Sequence, residues 1–91
     1  MSLSIPVATK EVFMRAGVLA GKYRELPSTN KALLVLINKE LGFEIAAGLF
    51  LYMVEPEHHS DFPQILKPRE REILDAFIET TSARVRLPIA A

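Results

Sequence analysis

The sequence predicts a mainly α fold, a compact bundle of about four helices around a central apolar helix. Three observations carry that expectation. Apolar side chains recur at helical spacing in three separate segments. A fourth segment, Phe43 to Val54, holds eleven apolar or glycine residues and one carboxylate, Glu44. It has no polar face, so its neighbours, or a second copy of the chain, must cover it. Proline, glycine or runs of polar residues separate the segments at Leu26–Pro27, at Gly42 and from Glu55 to Pro68.

Taken in order, Ser4 to Ala8 reads as an extended lead-in, because Pro6 has no N–H to donate and biases Ile5 away from helical backbone. With Thr9 as N-cap, the first helix covers roughly Lys10 to Leu26, ahead of Pro27. Val12, Phe13, Ala16, Leu19, Ala20 and Tyr23 form its apolar stripe, with Lys10, Glu11, Arg15, Lys22 and Arg24 elsewhere. Gly17 and Gly21, four apart, permit a neighbouring backbone to come close.

Ser28, Thr29 and Asn30 are three candidate caps for a second helix, roughly Asn30 to Leu41, with Leu33, Leu34, Leu36, Ile37 and Leu41 facing inward. Gly42 stands where a left-handed residue closes such a helix. The third helix then covers Glu44 to Val54. Its last six residues, Leu49 to Val54, are apolar without alternation, so an α+β fold with a short strand at 49–54 and an extended C-terminal tail is the alternative. Ala46, Ala47 and Gly48 upstream favour the helix.

Glu55 to Pro68 reads as a loop pinned to the core by Phe62, Ile65 and Leu66. Pro68 opens the last helix, Arg69 to about Ala83, with Glu70 and Glu72 at the positive end of its dipole. Ile73, Leu74, Phe77, Ile78, Thr81 and Val85 form its buried stripe. Beyond it, Arg84 to Ile89 alternates charged and apolar residues, the pattern of an extended tail. The whole chain, 1–91, reads as one helical domain with extended or flexible ends at about 1–8 and 86–91.

Composition narrows the function classes. Eleven basic residues balance eleven acidic ones, which leaves no global field for phosphate or anionic lipid. Without cysteine there is no disulfide, thiolate metal site or cysteine nucleophile. The first ten residues lack the pattern of a signal peptide, and the expected location is the cytoplasm. A membrane span over Ala32 to Val54 fails on energy. Its twelve Leu, Ile, Phe and Val residues contribute roughly 4 to 7 kcal/mol to insertion, while Lys39, Glu40 and Glu44 each cost about 2.5 to 3.5.

The ligand-bearing residues cluster in one loop: Glu55, Glu57, His58, His59 and Asp61. Glu55 and His58 share the Glu-x-x-His spacing of di-iron bundles, but the second such pair and the two further glutamates are missing. Gly17 to Tyr23 falls one residue short of a phosphate-binding loop and lies within a helical stripe. Glu44, alone in the apolar stretch, is placed at the first turn of its helix, where the dipole accommodates a carboxylate. Lys67-Pro68-Arg69-Glu70-Arg71-Glu72-Ile73-Leu74 resembles the start of the first helix of the LuxR-type helix-turn-helix domain. The turn and basic recognition helix that follow in that family have no counterpart in Thr80 to Arg86, so the resemblance implies no major-groove reader.

Elimination leaves interaction. The expected function is that of a small non-enzymatic accessory or regulatory protein, acting through protein–protein contact as a homodimer. No catalytic, cofactor or metal residue is assigned. Leu49, Phe50, Tyr52 and Met53 are the expected helix-to-helix interface. The alternatives are a dimeric DNA-binding regulator using Arg69, Arg71, Arg84 and Arg86, and third a metal-binding protein or enzyme using the 55–61 loop.

Overall fold

The computed structural model describes the backbone of residues 7–88 and the side chains from Met14 onward. Five helices follow one another, with no strand among the described residues: α1 (Val7–Glu25), α2 (Ser28–Leu41), α3 (Phe43–Val54), α4 (Phe62–Ile65) and α5 (Pro68–Thr81). The fold is mainly α, and Leu49 to Val54 is helix rather than strand. No described helix is long and apolar enough to cross a membrane.

Helix starts differ from the expected ones. Helix α1 already includes Val7 and Ala8, so Thr9 lies inside its first turn and is not its cap; the lead-in at residues 4–6 is outside the described residues. Helix α2 starts at Ser28, with the Pro27 carbonyl accepting the first bonds from the N–H groups of Asn30 (3.0 Å) and Lys31 (3.1 Å). None of Ser28, Thr29 and Asn30 caps it by side chain, because Asn30 is turned into the core. Gly42 does close α2, its N–H bonding the Asn38 carbonyl at 3.1 Å. At φ 99° and ψ 168° it lies beyond the left-handed helical region, in backbone open essentially to glycine alone, and this sharp link starts α3 at once.

The polar loop after α3 contains one unexpected turn of helix, α4, with Pro63 in its first turn. Phe62 is buried and Leu66 packs against the core, but Ile65 is exposed, since a four-residue helix offers one side to the core and the other to water. Helix α5 begins as read, with the Glu70 carboxylate accepting the Lys67 N–H at 2.8 Å. It ends at Thr81, where Ser82 adopts the left-handed conformation at φ 59°.

Leu33, Leu34 and Ile37 of α2, Ala46 and Leu49 of α3, Phe62 of α4 and Leu74 of α5 form one core, with Ala83 beyond α5. Helix α3 meets α1, α2 and α4, while α5 packs on α2. Gly48 is there for space: a Cβ at that position falls 3.0 Å from the Phe62 ring. Gly17 and Gly21, in contrast, have no neighbour within 4 Å of an added Cβ among the described residues, so no described backbone uses them. Helix α1 meets this body through α3, and the whole is elongated, with a radius of gyration of 15.3 Å and a long axis of 54 Å.

Candidate functional site

Because α5 covers α2 and not α3, the most apolar helix keeps an open flank. Only Ala46 and Leu49 of α3 are buried. Phe43, its first residue, is 76 % exposed, and Val35 on α2 is 63 % exposed. Between them lies an open groove of about 340 Å³, lined by Tyr23, Leu34, Val35, Asn38, Phe43, Ala46, Ala47 and Phe50. The Tyr23 ring closes one side, edge-on to Phe50 with centroids 5.9 Å apart. Tyr23 is held in turn by Lys31, whose ammonium lies 5.5 Å from the ring centroid and donates to the last-turn carbonyl of Arg24 at 3.0 Å. The described part of the α1 stripe stays out of the core: Ala16, Ala20 and Tyr23 are exposed and Leu19 is half-buried. Val12 and Phe13 carry no described side chains.

The four expected interface residues divide by position. Leu49 is enclosed, at 0 % exposure, in the chain's own core, whereas Phe50 lines the groove. Tyr52 sits beside Phe62, ring centroids 5.8 Å apart, and donates its hydroxyl to the Arg86 carbonyl at 3.0 Å. The Met53 sulfur lies 3.8 Å from the Asn30 amide nitrogen. Sequence reading missed Val35 and Phe43. Phe43 left a signal, an aromatic at a helix start with only Gly42 before it.

A second cluster fastens α1. Glu55, the C-cap of α3, is buried and takes the Arg15 guanidinium on Oε1 and the Lys22 ammonium at 3.5 Å on Oε2. His59 Nε2 lies 3.7 Å from the same Oε1. Glu57 and His58 stay outside, both exposed. Among the described residues no three acidic, histidine or cysteine groups converge to hold a metal ion. Glu55 is thus an anchor for two cations of α1 forty and thirty-three residues away. Arg15 and Lys22 keep 48 % and 37 % of their side-chain surface in water, which limits the cost of breaking the cluster to about 1 to 2 kcal/mol. Glu55→Gln is therefore expected to speed amide exchange in α1 roughly 5- to 30-fold while leaving Leu33 and Ile37 unchanged. Equal protection of α1 in both proteins removes the anchor role.

The arginines considered for phosphate contact are unevenly free. Arg71 Nε donates to both Asp75 oxygens at 3.1 and 3.2 Å, and its Nη2 to the Pro88 carbonyl at 2.6 Å. Arg69, Arg84 and Arg86 are exposed. Comparison of the chain with family models, with curated proteins and with solved structures finds no match.

Proposed function

We propose that this chain is a small non-enzymatic accessory or regulatory protein that acts by binding other proteins, its first partner being a second copy of itself. One observation carries the reading: the open apolar groove between α2 and α3, edged by Tyr23, Val35, Phe43 and Phe50. Phe43 and Val35 stand in water beside a groove lined by apolar residues except for Asn38, and covering the apolar part is favourable by about 25 cal/mol per Å². Two copies related by a two-fold axis cover each other's groove with the same residues, the commonest way for a small chain to bury a surface it cannot cover alone.

The test is solution mass by light scattering over a range of protein concentrations, for the wild type and for Phe50→Glu. The wild type is expected to rise from monomer to dimer mass. Phe50→Glu, which puts a charge against the partner's apolar groove, is expected to weaken association by at least about 100-fold, roughly 2.7 kcal/mol, while remaining folded. A wild type that stays monomeric at every concentration overturns the proposal.

A further inference from the structure

Beyond α5 the chain crosses three helices from Ala83 to Pro88 without regular secondary structure, turning tightly at Arg84, where the Val85 N–H bonds the Ala83 carbonyl at 3.1 Å. Ala83 is buried and Val85 and Leu87 pack against the core, while Arg84 and Arg86 between them face water. Its backbone pairs with no strand. Each helix instead supplies one side chain to it. From α2, the Asn30 amide acts as a peptide group does: Nδ2 donates to the Arg84 carbonyl at 3.3 Å and Oδ1 accepts the Arg84 N–H at 2.8 Å. From α3, the Tyr52 hydroxyl donates to the Arg86 carbonyl. From α5, Arg71 donates to the Pro88 carbonyl. Asn30 is 3 % exposed, so the clamp is built into the core and is not a chance surface contact.

These bonds reach backbone atoms at alternate residues, and the side chains between them enter apolar seats. Such a division of labour, main-chain bonds giving affinity and the side chains between them giving specificity, is how a peptide segment is recognised. We infer that the cleft of Asn30, Tyr52 and Arg71 is a peptide-binding site, occupied in cis by Ala83–Pro88 and able to take the same segment from a second copy. Every contact made in cis is available to an identical segment in trans, the condition for exchange between copies. The hinge is Ser82, a non-glycine residue at φ 59°, so the link between α5 and the segment is already bent sharply. The cleft shares no residue with the open groove at Phe50, so either can fail without the other.

The tether sets the competition. A segment joined through one hinge residue competes at an effective concentration of about millimolar or more, so the wild type is closed to peptide at micromolar concentration. A fluorescent peptide of the sequence Ser82–Pro88 is titrated into the full chain and into the full chain carrying Val85→Asp and Leu87→Asp, which evicts its own segment. The expected result is binding at least about ten-fold tighter to the variant, lost on adding Asn30→Ala and lost for a peptide with Asp at both apolar positions. Equal binding to wild type and variant, or binding that survives Asn30→Ala, overturns the inference. The wild type supplies a second readout that needs no mutant to fold. Peptide at several millimolar is expected to strip exchange protection from the chain's own Arg84 N–H, and unchanged protection overturns the inference equally.

Discussion

Leu49→Ala is expected to lower the stability of the chain by about 3 to 4 kcal/mol, enough to bring its melting temperature down by roughly 12 to 25 °C. Leu49 has no exposed surface and belongs to the same cluster as Leu33, Leu34, Ile37, Phe62 and Leu74. Removing its isobutyl end loses the transfer free energy of the missing groups and leaves a cavity that helices already joined by a one-residue link at Gly42 cannot close. A domain of this size has about 5 to 10 kcal/mol to lose, so the variant sits close to its unfolding threshold. Its neighbour makes the control. Phe50 is half-buried on the groove side, and Phe50→Ala is expected to cost the monomer clearly less, while affecting association more. Urea unfolding followed by circular dichroism measures both; a loss below about 1 kcal/mol for Leu49→Ala sinks the claim that it is core.

Asn30→Ala is expected to cost about 2 to 3 kcal/mol and to free the segment after α5. The substitution removes two hydrogen bonds worth about 1 kcal/mol each and leaves the groups they served without a partner near the core. Asn30→Asp discriminates further. A carboxylate still accepts the Arg84 N–H, but its other oxygen then meets the Arg84 carbonyl, and a buried charge replaces a neutral amide. The expected order of stability is therefore wild type, then Asn30→Ala, then Asn30→Asp, with Arg84 amide protection falling in both variants. If Asn30→Asp is as stable as the wild type, the amide does not bind the segment in the way its geometry implies.

Asn30 also marks how far a sequence reads. It shares the spacing of Leu33, Leu34 and Ile37, at i, i+3, i+4 and i+7, so its place on the buried face of α2 was legible. Its setting after Pro27, beside Ser28 and Thr29, instead pointed to a cap, because local capping chemistry competes with inward packing for the same residue type. The Glu55 cluster shows the opposite case. Nothing at Arg15 or Lys22 announces a carboxylate thirty or forty residues on.

The sequence by itself determined the helical class, the break at Gly42, the start of α5 at Pro68 and its end shortly before Arg84. These rest on side-chain period, on proline's missing donor and on glycine's freedom at positive φ, all of which act within a few residues. Only the tertiary structure decided which flank of α3 stays open, that Glu55 anchors Arg15 and Lys22, and that Asn30, Tyr52 and Arg71 from three helices hold the one segment after α5. Those outcomes depend on how helices pack against one another, and a packing between elements some fifty residues apart leaves no period in the chain that makes it.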